Sequence, residues 1–457
     1  MTVAAQHERH TADTTGRLAG ILKQNHNGRA VGVYSICSAN RFVLEAGMLQ
    51  AQHDDSLLLI ESTSNQVNQF GGYTGQTPAE FVSFVKGIAA GMNFPAERVA
   101  FGGDHLGPHA WRTENSSSAM QKAIELVRAC VLAGYTKIHL DTSMRLGDDP
   151  GDFSSPLADE VISRRAADLC RAAEDAYQQL PPGSPAPLYV IGTEVPIPGG
   201  EVLDAQAPET TRPEDVARTL QLARESFEVR GLHTAWERVI ALVVQPGVEF
   251  GDATVFPYMP DKARALSRFV DEHRHDKQWQ GIYEAHSTDY QSPAALRQMV
   301  RDHFAILKVG PWLTFAFREA VFALAAVEEE WLGHRRGITI SRVRESLEEA
   351  MLANPEPWKN YYRGDEKALR LARKYSFSDR CRYYWTQQDV AAALQRLLRN
   401  LTAHPAPVSL LSQYLPDQVA ALRSGEVSNQ PVALIHNKIL GVLEHYAHAC
   451  AMSARQS

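Results

Sequence analysis

A chain of 457 residues with 44% hydrophobic side chains can bury a large core, and a barrel with an appended domain suits this length. The formal net charge of −7 is spread over residues of both signs, which excludes the basic stripe that nucleic-acid binding requires. No apolar run approaches the length of a membrane span, so we expect no membrane partner. The five cysteines are far apart and form no CxxC pair, which indicates a reducing compartment and the cytoplasm.

From residue 31 onward, short β-branched runs alternate with stretches of helical period, which is the pattern of repeated βα units. Eight runs are predicted as strands: 31–38, 56–63, 98–105, 137–143, 188–195, 239–247, 281–287 and 304–311. Eight units in series predict an α/β fold, a (β/α)8 TIM barrel over residues 28–330. Residues 331–457 predict a mainly helical extension packed on the barrel, and residues 1–27 a polar leader without a signal-peptide core.

Polar side chains end most of the predicted strands, and the carboxyl ends of barrel strands meet at one mouth. Burying ionisable groups there without compensation is costly, and a divalent cation is the simplest group that pairs them. The polar residues at the strand ends are Ser38, Asn40, Glu61, Ser62, Thr63, Asp104, His105, Asp141, Ser143, Glu194, Gln245, Glu284, His286, Asp289 and Lys308.

Two histidines and a glutamate in this set have the ligand types of a catalytic metal. His105, Glu194 and His286 end the third, fifth and seventh strands and match a zinc site with an open position. Gln245, at the end of the sixth strand, adds an oxygen ligand. A lone strand-end histidine is more often a structural residue, so the prediction depends on these ligands acting together. We expect zinc, with manganese, cobalt or nickel as alternatives.

Asp104 precedes His105 directly, and neighbours in a strand point to opposite faces. Both can face the mouth only where the strand has ended and the chain turns, which Gly102, Gly103 and Gly107 permit. Beside a metal-bound histidine, Asp104 is placed to move a proton at a sugar hydroxyl. An aspartate that caps the next loop is the equal alternative.

The remaining polar groups have a functional and a structural interpretation. Asp141 and Glu284 either bind hydroxyls and orient ligand imidazoles or form ion pairs with Lys308 or Arg145, and for Glu284 we favour the ion pair. Lys308 is interpreted as an electrostatic or hydrogen-bonding group rather than a Schiff-base amine. His139 shares the face of Asp141 and is interpreted as a core histidine.

The stretch ESTSNQVNQFGGYTG after the second strand is rich in amide and hydroxyl side chains, which is typical of a polyol-binding site or of a solvated loop. The predicted catalytic residues are Asp104, Glu194 and Asp141. The predicted substrate-binding residues are Ser38, Asn40, Glu61, Asn65, Gln66, Ser143 and Lys308.

The motifs together resemble the Z-type subunit of tagatose-1,6-bisphosphate aldolase. The resemblance runs from about residue 28 to the end and includes GVYSICSANRFVLEAGMLQA, FGGDHLGP, IGTEVPIPGG, YEAHSTDYQ, LKVGPWLTFAFREA and, in the extension, PEPWKNYYRG and YSFSDRCRYYW. That family is related to the metal-dependent class II aldolases, which are (β/α)8 barrels. By this resemblance Asp104 and His105 look like an acid/base and zinc-ligand pair, and His286 is similar to a second zinc histidine. Gln245 stands where a third is expected, and Glu194 is its natural replacement.

The resemblance implies aldol or retro-aldol chemistry at C3–C4 of a ketose, either 4-epimerisation of fructose or tagatose or cleavage of tagatose bisphosphate. Glu249 and the segment AHSTDYQS stand where class II aldolases hold the phosphate, and a carboxylate repels phosphate, so we favour an unphosphorylated sugar. The alternative function is a non-catalytic subunit that stabilises a separate class II aldolase subunit. We also expect a homo-oligomer. The sequence lacks a phosphate-cradling GxxxxGK[ST] loop, so we set a sugar-phosphate kinase aside.

Overall fold

Eight parallel strands form a closed barrel in this protein. The structure is a computed structural model, and it describes residues 13–152, 156–192, 208–276 and 279–452. The barrel strands are β1 Val33–Ile36, β2 Leu58–Thr63, β3 Val99–Leu106, β4 Lys137–Leu140, β5 Leu188–Ile191, β6 Val239–Val243, β9 Ile282–Ala285 and β10 Phe304–Val309. They follow chain order around the barrel, and β1 closes on β10. The predicted (β/α)8 barrel is confirmed.

A short antiparallel hairpin, β7 Glu249–Phe250 and β8 Val255–Phe256, lies between β6 and β9 in the chain. The helices of the barrel region are α1 Thr14–His26, α2 Arg41–Asp54, α3 Pro78–Gly91, α4 Ser116–Ala133, α5 Asp159–Tyr177, α6 Pro213–Val229, α7 His233–Trp236, α8 Pro260–Glu272, α9 Pro293–Arg301 and α10 Pro311–Leu332. Those of the extension are α11 Val343–Ala353, α12 Glu356–Lys359, α13 Glu366–Tyr375, α14 Gln388–Ala403, α15 Val408–Tyr414, α16 Pro416–Ser424 and α17 Pro431–Ala449.

Polar side chains fix where several barrel helices begin. The Asn40 side chain accepts hydrogen bonds from the N–H groups of Phe42 and Val43 at the start of α2. Thr77 and Glu80 form a capping box at the start of α3, and Asn115 caps α4. Each cap satisfies N–H groups that the helix itself leaves unpaired. The strand-to-helix turns at the barrel mouth are therefore held by local sequence.

The helix α1 closes the bottom of the barrel. Its Leu18 and Leu22 join the apolar cluster inside the barrel, which includes Val33 of β1 and Ile306 of β10. The spacing of the two leucines puts them on one helix face. Part of the predicted polar leader thus forms an amphipathic helix, and its two buried leucines cover the floor of the barrel.

The extension completes the outer layer and also reaches the mouth. Its last helix, α17, packs between α2 and α10 and against α9. At the end of α17 the carbonyl of Cys450 accepts a hydrogen bond from Gly32, just before β1. A short 3-10 segment of the extension, Arg380–Tyr383, lies at the other end of the barrel, over its mouth. Within the described ranges, every helix is too short or too polar to cross a membrane.

Candidate active site

Above the apolar floor, charged side chains fill the barrel toward its mouth. Lys137 Nζ of β4 lies 2.9 Å from Glu61 of β2 and 2.7 Å from Glu284 of β9. Lys308 Nζ of β10 lies 2.7 Å from Glu61 and 3.8 Å from Glu284. None of the four side chains is more than 5% exposed. The two lysines therefore neutralise two carboxylates that water cannot reach.

Asp104 lies at the top of this layer, among three imidazoles. Its oxygens are 3.2 Å from His139 Nδ1, 3.8 Å from His105 Nε2 and 4.0 Å from His286 Nε2. The His286 Nε2 is also 3.0 Å from Glu284. We call these five residues the Asp104 cluster. Its members come from β3, from β4 and from the end of β9, so the closed barrel is what brings them together.

A local irregularity lets Asp104 and His105 face the same cavity. The pairing of β3 with β4 shifts register between Gly103 and Leu106, which marks a bulge. His105 has a left-handed backbone conformation with φ of 49°, unusual for a non-glycine residue. At Gly107 a Cβ atom would lie 1.7 Å from the carbonyl oxygen of Asp141, so only glycine fits there. The predicted turn after Asp104 is in fact a bulge within the strand.

Ion pairing and burial set the charge states of the cluster. Burial opposes ionisation of Asp104, but the charges of His105 and Lys308 outweigh it and hold its pKa well below the usual range. Burial also opposes protonation of His105, yet Asp104 and Asp141 raise its pKa. For His286 burial dominates and lowers the pKa to about 4. At neutral pH Asp104 is a carboxylate and His286 a neutral imidazole.

Lys308 is held as an ammonium ion. Burial favours the neutral amine, but Asp104 and the other nearby acidic groups raise the pKa of Lys308 well above its usual range. A Schiff base requires the neutral amine, so this environment favours the electrostatic role.

Four residues of the site have the composition of a metal centre. Asp104, His139, Glu284 and His286 each offer one ligand atom, and these atoms lie within 4.8 Å of one another. Two imidazoles and two carboxylates are suitable ligands for zinc and similar transition metals. The His139 Nε2 atom is buried without a hydrogen-bond partner, so the cluster is not satisfied by its own members. The residues present fit a divalent cation.

His105 has the arrangement of an oriented ligand. Its Nδ1 lies 2.8 Å from Asp141 Oδ2, while Ser143 donates to the other oxygen of Asp141 through its backbone N–H and its hydroxyl. A carboxylate on Nδ1 fixes the ring and leaves Nε2 for the cavity. Asp141 thus lies behind His105 and orients it.

A cleft of about 660 Å³, open to solvent, lies above the cluster. Its wall includes Asn65 and Gln66 from the loop after β2, with Asp104, His105, His286 and Lys308 at its base. The extension contributes Arg382 and Tyr383, and the Tyr383 ring meets Tyr73 edge to face at 4.7 Å. We call this space the mouth cleft. Arg382 and Tyr383 belong to a part of the chain that sequence reasoning assigned to packing on the barrel.

Asp289, in the loop after β9, lines the same cleft beside the start of α10. Its Oδ1 accepts hydrogen bonds from the N–H groups of Gly310 (3.1 Å) and Trp312 (2.8 Å). The side chain occupies the positive end of a long helix, where backbone N–H groups attract anions.

Other predicted residues lie elsewhere in the described structure. Ser38 accepts a hydrogen bond from the Asn40 N–H, and Asn40 caps α2. The Gln245 side chain accepts from the N–H groups of Gly247 and Val248, so it stabilises its own turn. Glu194 lies outside the described residues. The structure thus brings Asp104, His105, His286, Glu61 and Lys308 together and directs Gln245, Ser38 and Asn40 to loops and caps.

Two members of the site fall outside the predicted set. Lys137 and His139 alternate with Asp141 along β4, and alternate residues of a strand share a face. The signal was therefore present, but a sequence does not reveal how far up the barrel an inward residue lies. That height depends on the stagger between neighbouring strands.

Comparison with known proteins identifies the family of this chain. Residues 18–451 match the family described as D-tagatose-1,6-bisphosphate aldolase subunit GatZ/KbaZ-like. The chain belongs to this GatZ/KbaZ-like family. A solved structure described as a probable tagatose 6 phosphate kinase from Sinorhizobium meliloti 1021 is 41% identical, with a TM-score of 0.81, and covers 92% of this chain and 100% of that chain. The resemblance noted from the motifs is confirmed.

Other solved structures that match have little sequence similarity to this GatZ/KbaZ-like chain. A fructuronate-tagaturonate epimerase from Cohnella laeviribosi is 11% identical, with a TM-score of 0.47, and covers 92% of this chain and 82% of that chain. A likeness this weak does not bear on what the present chain does.

Proposed function

We propose that this protein is a metal-dependent ketose enzyme that acts at the C3–C4 bond. The leading reaction is 4-epimerisation of a ketohexose such as fructose or tagatose, and aldol cleavage of tagatose bisphosphate is the alternative within the same chemistry. The observation that carries the proposal is the buried Asp104 cluster over the Lys137 and Lys308 pairs. Burying so many ionisable groups costs folding free energy, and strongly shifted pKa values concentrate at functional sites.

We assign the metal to His139, Glu284 and His286, whose side chains converge beside Asp104. Zinc, manganese, cobalt or nickel suits these nitrogen and oxygen donors. When bound, a divalent metal polarises the C2 carbonyl and the C3 hydroxyl of a ketose. His105, oriented by Asp141, borders the same place and is available as a further ligand.

Asp104 is the proposed proton carrier. As a carboxylate it accepts the proton of the C4 hydroxyl while the C3–C4 bond breaks, leaving an enediolate on one fragment and an aldehyde at C4 on the other. Rotation of the aldehyde exposes its opposite face, the bond forms again, and Asp104 returns the proton to the C4 oxygen. No net proton or electron is gained, and C4 is inverted. Lys308, 3.2 Å from Asp104, keeps the carboxylate ionised between turnovers.

The test is an assay of the purified chain alone. Protein treated with a chelator and then given manganese, zinc, cobalt or nickel is incubated with D-fructose or D-tagatose, and the sugars are separated by chromatography. Interconversion that depends on added metal supports the proposal. Absence of turnover with all four metals and both sugars, and also with tagatose bisphosphate, would overturn it.

A second candidate is the non-catalytic accessory subunit. The family description itself, which names an aldolase subunit, favours it. The same assay separates the two candidates when a class II tagatose-bisphosphate aldolase subunit is added. An accessory subunit is silent alone and increases the stability or activity of that partner, whereas an enzyme turns over sugar without it.

A further inference from the structure

The outer end of the mouth cleft bears on whether the substrate carries a phosphate group, which the Asp104 cluster does not determine. In barrels of this class a phosphate group is often bound by the loops after the last two strands and by a helix N-terminus beside them. Here those elements are the loop after β9, the loop after β10 and the start of α10, and all three contribute to the cleft wall.

We propose that this end of the cleft receives the uncharged, hydroxyl-bearing end of a ketose and excludes a phosphate group, because Asp289 takes the anion position at the start of α10. The inference rests on the proposed ketose chemistry and names the class of substrate. The sequence analysis favoured an unphosphorylated sugar because of Glu249. Here the cause is the Asp289 carboxylate, which accepts hydrogen bonds from N–H groups at the start of α10.

The N–H groups in the first turn of α10 already have acceptors within the chain. Those of Gly310 and Trp312 both donate to Asp289 Oδ1, at 3.1 and 2.8 Å. Pro311 has no N–H, and the Leu313 N–H donates to the carbonyl of Gly310 at 3.1 Å. The donors that would grip a phosphate are already used within the chain.

The charge of Asp289 also opposes a phosphate at this end of α10. Asp289 is only 3% exposed, so water screens its carboxylate poorly. A phosphate at the same helix end would lie against this carboxylate, and two like charges at close range repel strongly in a poorly solvated site. A hydroxyl group meets no such repulsion, and it can donate a hydrogen bond to the carboxylate.

Lys308 and Arg382, the lysine and arginine of the described cleft lining, already have partners within the chain. Lys308 lies 2.7 Å from Glu61 and 3.2 Å from Asp104. Arg382 donates to the carbonyls of Ser378 and Asp379 and to the Tyr383 hydroxyl. A phosphate arriving here would have to displace existing bonds, whereas sugar hydroxyls can share them.

Binding of inorganic phosphate tests the inference without depending on turnover. Isothermal titration calorimetry compares the wild type with Asp289→Asn, which keeps an acceptor for the two N–H groups, and Asp289→Ser, which frees them. We expect phosphate affinity to increase in the order wild type, Asp289→Asn, Asp289→Ser, with at least about a tenfold difference between the first and the last. Asp148→Ser is the matched control, since Asp148 accepts the Ser116 N–H at the start of α4, outside the cleft. The control should bind phosphate as the wild type does.

Wild-type protein that binds phosphate as tightly as Asp289→Ser would overturn the inference. If Asp289→Ser does not fold, the isosteric Asp289→Asn still decides, because equal affinity in this variant and the wild type contradicts the role of the charge. Comparing D-tagatose with D-tagatose 6-phosphate as substrates separates this inference from the proposed function. A preference for the phosphorylated sugar keeps the ketose chemistry and removes phosphate exclusion. Inactivity on every sugar with the expected order of phosphate affinities removes the enzyme proposal alone.

Discussion

At the scale of single residues, Asp104 is a buried carboxylate surrounded by titratable groups. It is 4% exposed, and its carboxylate is close to Lys308 and to three imidazoles. These groups hold it ionised, as the proposed proton acceptor must be, and its neighbours on β4 and β9 are donors of the proposed metal site. The division of labour between Asp104 and the proposed ligands leads to a prediction.

We expect Asp104→Asn to keep the metal and lose turnover by a factor of about 10² to 10⁴, the usual range for loss of a general base. The amide has the shape of the carboxylate but does not accept a proton, while His139, Glu284 and His286 remain. Metal content is measured by mass spectrometry and turnover by sugar chromatography. Asp175→Asn, at an exposed position on α5, is the control for charge removal. Full activity in Asp104→Asn would remove Asp104 from the reaction.

Asp289 provides a second prediction at this scale. Burial raises the pKa of Asp289 to about 6. The folded protein therefore holds this proton more tightly than the unfolded chain, so the stabilisation is complete below the unfolded pKa near 4 and is lost as pH rises through 6. We expect the free energy of unfolding of the wild type to fall by about 2 kcal/mol relative to Asp289→Asn between about pH 4 and about pH 7. Urea denaturation across this range measures it, and parallel pH profiles for the two proteins would contradict it.

Sequence patterns could identify part of this site. Asp104, His105, His286, Glu61 and Lys308 end or nearly end apolar runs, and the barrel places such ends together. Gln245 ends an apolar run too, but its side chain accepts hydrogen bonds from the N–H groups of Gly247 and Val248 in the turn that follows. The position at the end of an apolar run does not reveal this local bonding. Whether an inward residue such as His139 joins a neighbouring strand's side chains depends on strand stagger, which is a property of the assembled barrel.

At the scale of elements, the eight strands were predictable because each is a short apolar run flanked by turn residues. The helix α1 was harder, since only Leu18 and Leu22 are apolar and buried in the barrel floor. The placement of Arg380–Tyr383 over the mouth could not be predicted. It depends on contacts between residues tens to more than a hundred positions apart, such as the bond from the Ser376 hydroxyl to Asp252 and the ion pair of Arg318 with Asp379.

That ion pair fastens the extension to the barrel and gives a prediction. Arg318 of α10 and Asp379 are each 2% exposed and 2.9 Å apart, and Thr314 also donates to Asp379. We expect Asp379→Asn to lower the free energy of unfolding by about 3–5 kcal/mol, because it leaves the Arg318 charge buried and unpaired. Asparagine tolerates the left-handed backbone of this position, where φ is 45°, so strain does not contribute.

The double variant Asp379→Asn with Arg318→Met is the matched comparison for this pair. It removes both charges, so most of the lost stability should return. Urea denaturation of the four proteins in the cycle measures the coupling between the two residues. If the loss of stability in the double variant equals the sum of the losses in the two single variants, the Arg318–Asp379 ion pair does not hold the extension on the barrel.

At the scale of the whole molecule, α1 closes the bottom of the barrel, and residues of the extension form part of the cleft wall at its mouth. The helix α1 fills the floor with apolar side chains, and α17 returns beside β1 to complete the outer layer. The extension then supplies Arg382 and Tyr383 to the cleft wall. The polar interior thus lies between an apolar floor and the segment Arg380–Tyr383 of the extension.

Metal binding should therefore stabilise the whole protein, since a cation held by the folded barrel and not by the unfolded chain shifts the folding equilibrium. For chelator-treated protein we expect added manganese or zinc, at about 100 to 1,000 times Kd, to raise the free energy of unfolding by about 3–4 kcal/mol. The rise in Tm is measured by calorimetry. His286→Ala should abolish it by removing a proposed ligand, whereas His53→Ala, whose side chain is 61% exposed on α2, should preserve it. An equal rise in wild type and His286→Ala would place the metal outside the Asp104 cluster, and the buried charges would then need a different partner.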